Sequence, residues 1–298
     1  MAYAAGDALG VPWEGKTPDE VDWEVMEELP IRGDWPRGST SDDTDQLMLV
    51  AGYLAEAKGQ VDEREWLTLL AKALPRMRGV GPTTSAAVRR FVETGQLHAT
   101  EGSSIGAAMR ALPFGWALPV TAAEHRRDLT IRLSRATHGA PTAIMSACVV
   151  AAMAAWAIER HPIHTVIVAG LREAEDLAGR FGLPPAALQP LRQAADGKCL
   201  PPAAGAALDA VATVATVLHV LREATSLADA MKHAVRLGGD TDTAAAIVGG
   251  ILGCRSEIVE REIPWLSRVA LPEPGSIEVA ATGLYRLRRS LRESALGR

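Results

Sequence analysis

Two short runs hold the residues best suited to chemistry: Ser41-Asp42-Asp43-Thr44-Asp45 and Asp240-Thr241-Asp242-Thr243. Each sits where a small or polar stretch enters an apolar run. Asp, Ser and Thr with no neighbouring His or Cys form an oxygen-only donor set. Such donors suit hard cations: Mg²⁺, Mn²⁺ or Ca²⁺. If both runs face one pocket, Asp42, Asp43, Asp240 and Asp242 bring four negative charges, the balance of two divalent ions. Acids at helix N-termini also act as caps and dipole partners, and the first run alone fits either role. The second lies between Gly238-Gly239 and the apolar segment Ala244–Leu252, where burial without cations is costly. Helical neighbours point about 100° apart, so each pair is expected to converge only where the backbone is irregular.

The elements that must position these acids read as helices. Leu47, Val50 and Leu54 recur at helical spacing after the first run. Trp66, Leu67, Leu70 and Leu74 repeat the pattern until Pro75. Gly79-Val80-Gly81-Pro82 breaks the chain before a helix from about Thr84, and Thr121 to Thr137 reads as another. Ser226-Leu227-Ala228-Asp229 fits a capping box, and Gly238-Gly239 stops the helix it opens. Thr243 is the expected cap of the helix at Ala244–Leu252. Residues 11–40, rich in Pro, Gly, Trp and acids, read as an irregular loop. No sustained alternation marks a strand. The expectation is an all-α, compact, single-domain orthogonal helix bundle spanning 1–298.

Composition narrows the class. Hydrophobic residues make up 48% and charged residues 22% of the 298, which excludes a disordered, collagenous or coiled-coil chain. Lys+Arg 31 against Asp+Glu 36 gives a net charge of −5, so nucleic acid is not a favoured partner. Cys148, Cys199 and Cys254 lie far apart without a C-x-x-C pair, so no disulfide framework or thiolate zinc site is expected. The start, MAYAAGDALG, lacks the layout of a signal peptide, and a cytoplasmic location is expected. Ala140 to Ile158 is almost wholly apolar and just long enough to span a bilayer. It is rich in alanine and lacks aromatic and basic belts, so it reads as a buried core helix and no membrane partner is expected. A monomer is the default.

Taken in order, GDALGVPWEG (Gly6 to Gly15), STSDDTDQL (Ser39 to Leu47), GPTT (Gly81 to Thr84), GAAMRALP (Gly106 to Pro113), THGAP (Thr137 to Pro141) and LGGDTDTAAAIVGGILG (Leu237 to Gly253) resemble the ADP-ribosylglycohydrolase family along essentially the whole chain. The resemblance implies an all-α fold with two Mg²⁺ (or Mn²⁺). By motif position the ligands are Ser41, Asp42, Asp43, Asp240, Asp242 and Thr243. It implies cleavage at C1″ of the distal ribose of an ADP-ribosyl group on a protein or a small molecule. Glu14 and Asp43 are the implied catalytic residues, Glu14 because it stands where a gating glutamate follows Gly-Asp-x-x-Gly. Gly102, Ser103, Ser104, Gly106, Met109 and His138 are the implied substrate contacts, with the Gly102–Gly106 loop offering N–H groups to a diphosphate at a helix N-terminus.

Departures from the family pattern matter too. Ser41 replaces the usual threonine but keeps the hydroxyl. Ser104-Ile105 stands where Gly-Asn is usual. Arg78-Gly79-Val80-Gly81 lacks the acid that arginine-specific relatives carry there, which points away from arginine-linked substrates. Asp7 is read as an orienting residue, His219 as a packed core histidine, and His161 and His164 as surface residues. Among Trp13, Trp23 and Trp35, one stacking on a nucleobase competes with plain loop packing. A catalytically altered ADP-ribose binder is the main rival reading. An isoprenoid synthase-like enzyme is a third, but its first motif would run Asp-Asp-x-x-Asp, and 4% aromatics poorly lines a carbocation cavity.

Overall fold

The computed structural model describes residues 1–198 and 209–296. It is built of helices: α1 (Ala2–Gly10), α2 (Asp42–Glu56), α3 (Glu63–Ala73), α4 (Pro82–Thr94), α5 (Leu112–Ala117), α6 (Ala123–Arg135), α7 (Pro141–Ile158), α8 (Ile163–Phe181), α9 (Gln189–Ala195), α10 (Ala210–Glu223), α11 (Leu227–Arg236), α12 (Thr241–Gly253), α13 (Val259–Glu262) and α14 (Pro274–Leu296). Among the described residues there is no named strand, and one isolated bridge joins Ser104 to Asp209.

Two apolar helices form the centre. α7 packs against α5, α6 and α8, and α12 against α1, α10 and α11. α7 is long and apolar enough to cross a membrane, yet 78% of it is buried inside the protein, as the alanine-rich composition predicts. Met145, Val149, Val150 and Met153 are fully enclosed there, each contributing about 1.5–3 kcal/mol of burial. α1 fits closely against α12 because Gly6 and Gly10 meet it without side chains. A Cβ on Gly6 would lie 2.2 Å from the Ala245 carbonyl oxygen, and one on Gly10 would lie 2.4 Å from the Asp242 Cα. The Thr241 hydroxyl donates to the Gly10 carbonyl at 2.8 Å, locking the start of α12 to the end of α1. At the periphery, Arg127 and Glu173 pair through two bonds of 2.6 and 2.9 Å and tie α6 to α8.

Ser226 caps α11 as its box predicts, accepting from the Asp229 N–H at 3.1 Å. Residues 11–40 are irregular, broken by 3₁₀ turns at Val11–Trp13, Pro18–Glu20 and Met26–Glu28. Within that stretch Trp13 is buried, Trp35 lies 5.0 Å beneath the Arg32 guanidinium, and exposed Trp23 is covered by Arg236 at 5.4 Å. Cys148 and Cys254 are free thiols, and Cys199 lies outside the described residues.

Three expectations change. α12 begins at Thr241 with Asp240 as its N-cap residue, so Thr243 sits inside the first turn instead of capping. The Gly102–Gly106 loop leads only into a 3₁₀ turn, Ile105–Ala107. A turn that short sums few peptide dipoles and gives little of the N-terminal field expected of a helix. The acids do not need an irregular backbone: Asp42 opens α2 with Ser41 as its N-cap residue. Near the end of a helix, residues of the first turn can face a common space beyond the terminus even though their directions around the axis differ.

Candidate active site

α2 and α12 both start at one cleft of about 420 Å³. Asp42 and Asp43 enter it from α2, Asp240, Asp242 and Thr243 from α12, and Glu14 from the loop after α1. The facing wall holds Gly79, Gly81 and Thr84, followed by Ser104, Ile105, Gly106 and Met109. The two motifs, some two hundred residues apart in sequence, therefore meet. Two helix N-termini bring positive dipole ends to this cluster of acids.

Local bonds explain the arrangement. The Ser41 hydroxyl accepts from the Asp43 N–H at 3.1 Å and donates to Asp43 Oδ2 at 3.2 Å. Buried Asp7 braces this turn. Its carboxylate accepts from the Ser41 N–H at 3.0 Å and the Thr44 N–H at 3.1 Å, and from the Thr44 hydroxyl. Tyr3 donates to the Met109 carbonyl at 2.8 Å and stands 3.4 Å from Asp43 Oδ1. Asp242 Oδ1 accepts from the Thr243 N–H at 3.0 Å. Glu14 is ion-paired with Arg32.

The electrostatics are those of crowded, dehydrated acids. Burial, followed by the Asp7 charge, pushes the Asp42 carboxyl up to about 7. Burial lifts Asp7 and Asp240 to about 6 against the hydrogen bonds they accept. Asp43 and Asp242 are raised well above the usual range, first by burial and then by neighbouring acids. Among the described residues, no Lys or Arg lines the cleft.

A cation fits this donor set. Asp240 Oδ2 accepts from the Thr213 hydroxyl at 3.3 Å, but buried Oδ1 has no partner among the described residues. An orphaned carboxylate oxygen beside other buried carboxylates, with hydroxyls and no soft donors, matches hard-cation chemistry. The donors are not closed on a point: among the described residues no three His, Cys, Asp or Glu side chains form a ready-made metal cage.

Several expected contacts stand behind the cleft. Ser41 supports Asp43 from outside the lining. Gly102, at φ +108°, packs against Thr83, where a Cβ would meet its methyl at 2.5 Å. The Ser103 carbonyl accepts from the Ala210 N–H at 3.0 Å, pinning the loop to α10. His138 is fully buried, its Nε2 3.0 Å from the Ser104 hydroxyl. His219 is buried as expected, with its ring 5.6 Å from that of His233. His164 is exposed, while His161 is only half-exposed because its ring packs 4.5 Å from Trp156.

Sequence reasoning missed Tyr3, Gln46, Thr213 and Arg110. Arg110 had a legible signal: a lone charge within the apolar run Ala107–Leu112 needs buried partners.

The fold agrees with the relatives of this chain. The family described as ADP-ribosylglycohydrolase matches residues 1–294, and the chain belongs to it. A glycohydrolase activity on ADP-ribosyl substrates follows from that membership. The ADP-ribosyl-[dinitrogen reductase] glycohydrolase of Rhodospirillum rubrum is 28% identical over 282 residues, covering 90% of this chain and 88% of that protein. An uncharacterized protein of Archaeoglobus fulgidus is 25% identical over 304 residues, covering 96% and 94%. A solved structure described as an ADP-ribosylglycohydrolase-related protein complex superposes with a TM-score of 0.76 at 26% identity, covering 96% of this chain and 95% of that one.

Proposed function

We propose that this chain hydrolyses the C1″ glycosidic bond of an ADP-ribosyl or related ribosyl substrate, with two Mg²⁺ or Mn²⁺ held by Ser41, Asp42, Asp43, Asp240, Asp242 and Thr243. The observation that carries the reading is the buried cluster of carboxylates, one of them with an oxygen orphaned among the described residues, in a cleft that none of the described basic side chains lines. Divalent ions bound there supply Lewis acidity and lower the pKa of a water molecule.

The protein's own residues do the rest. Asp7 and Ser41 hold Asp43 in one orientation, and the Gly10–Thr241 bond fixes the start of α12. As the C1″ bond breaks, positive charge develops on the sugar, and the acidic cleft stabilises it. Water oxygen bonds to C1″, the leaving nitrogen or oxygen departs with the bonding pair, and a carboxyl group carries the proton between them. Glu14, facing the cluster from the loop side, is assigned that proton transfer with Asp43.

The segment at Gly79 and Gly81 supplies no acid of its own for a guanidinium; the carboxylate beside it, Asp42, 3.4 Å from where a Gly79 Cβ would lie, is assigned to metal, and Arg78 is exposed. The linkage is therefore proposed to be other than arginine. A panel of arginine-linked, serine-linked and O-acetyl ADP-ribose, read as ADP-ribose released, tests it. An O-linked substrate should be fastest; if the arginine-linked one leads, the assignment is wrong. Glu14→Ala should lower kcat about a hundredfold while KM changes little. A pure KM effect would make Glu14 a binding residue only.

A further inference from the structure

Arg110 is 2% exposed and does not line the cleft. Its guanidinium sits 5.4 Å over the Trp66 ring and donates to two side chains, Gln46 Oε1 and the Thr137 hydroxyl oxygen. Gln46 in turn donates from Nε2 to Asp42 Oδ2. On the other side, Thr137 lies 2.8 Å from His138 Nδ1, His138 Nε2 lies 3.0 Å from the Ser104 hydroxyl, and the Ser104 hydroxyl donates to Thr83 Oγ1 at 3.1 Å. One chain of hydrogen bonds therefore runs from a metal-site carboxylate, through a buried arginine, to a side chain that lines the substrate cleft.

The direction of that chain is set at Arg110, because a guanidinium only donates. Thr137 oxygen receives the arginine proton, so its own hydrogen must find an acceptor. His138 Nδ1 is the one its bonding geometry offers. Burial, reinforced by Arg110, holds the imidazole neutral, its pKa lowered to about 3. A neutral ring that accepts at Nδ1 carries its proton on Nε2, and Nε2 donates to Ser104. The opposite tautomer would leave the Thr137 hydrogen without an acceptor in a buried site, a costly defect.

We propose that Arg110 is a positioning residue that sets the polarity of substrate recognition: through Thr137 and His138 it makes Ser104 accept from the imidazole, so that the single Ser104 hydrogen, given to Thr83 Oγ1 in this structure, is the polarised donor that turns to an anionic oxygen of the substrate. The cleft needs such a device. Its lining is acidic and, among the described residues, lacks Lys and Arg, so a phosphate oxygen meets no direct protein cation from them there. An arginine placed in the lining would pair with the very carboxylates assigned to metal. Withdrawn behind Thr137 and His138, the same charge polarises each successive donor without touching those acids. The assignment of a phosphate-bearing ligand rests on the proposed function; the polarity of the relay does not.

The experiment is a long-range ¹H–¹⁵N correlation of the histidine rings in the metal-replete protein, with His138 assigned by loss of its signals in His138→Gln. The expected result is a single Nε2–H tautomer for His138 without ligand. An Nδ1–H tautomer overturns the proposal whatever the protein binds. Thr137→Val should abolish the tautomer preference and weaken ADP-ribose about tenfold by calorimetry; Thr137→Ser should restore both. Because the effect passes through Ser104, Thr137→Val should cost nothing further in a Ser104→Ala background. A full additional tenfold loss there overturns the relay. If Thr137→Val does not fold, the wild-type tautomer decides. If the wild-type protein binds no ADP-ribose, the proposed function fails, while the tautomer still decides the relay.

Discussion

Asp240→Asn should reduce turnover on the order of 10³-fold while making the metal-free protein more stable. Loss of a residue that only supports a metal ligand typically costs 10–100-fold, and Asp240 is assigned as a ligand itself. Asparagine keeps the size and can still accept from Thr213, so the fold at the start of α12 is preserved. What disappears is a buried charge. Its pKa of about 6, against roughly 3.9 in an unfolded chain, measures how poorly the folded site tolerates ionisation without a cation. Differential scanning calorimetry in chelator should show a higher melting temperature for the variant, by about 2–4 °C for each kcal/mol recovered. A variant that is inactive because it unfolds, or one that is fully active, would make Asp240 a structural acid.

Magnesium should stabilise the protein far more at pH 8 than at pH 5. Asp7, Asp42 and Asp240 are raised to about 6, 7 and 6 in the folded state. The folded protein then holds protons that the unfolded chain has already released near pH 4. Their contribution to metal-free stability is complete below about pH 4 and is lost as pH rises through 6–7. Ligation needs the ionised form, so cation binding is weak where the metal-free site is protonated and strong where the site is strained. At a hundred times its Kd a single ion adds about 2.7 kcal/mol. The melting-temperature shift on adding Mg²⁺, followed from pH 5 to pH 8, should rise across the range. A shift that is flat, or that shrinks with pH, contradicts a site assembled from these carboxylates.

The helices were legible because their signals are local. Ser226 and Asp229 make the expected cap, the alanine-rich segment at 140–158 is buried, and Leu47, Val50 and Leu54 face inward along α2. The convergence of the two Asp runs was legible through paired motifs and unbalanced charge, not through geometry. Helical facing angles suggested that consecutive acids must diverge, but the cleft lies at the helix ends, where those angles no longer decide which side chains meet. The 3₁₀ turn at Ile105–Ala107 was hidden because Gly-Ser punctuation marks a break without specifying the type of element beyond it. The Asp42–Gln46–Arg110–Thr137–His138–Ser104 chain joins residues up to 96 positions apart, and only Asp42–Gln46 and Thr137–His138 are near neighbours. Periodicity cannot report contacts of that kind.

The central claim is that these two Asp runs hold the divalent cations on which glycosidic cleavage depends. Its most direct test is release of ADP-ribose from an O-linked substrate by protein stripped with EDTA and dialysed, then titrated with Mg²⁺ or Mn²⁺. The expected result is no measurable release from the stripped protein and recovery that saturates at two ions per chain. Full release by the stripped, metal-free protein would contradict it.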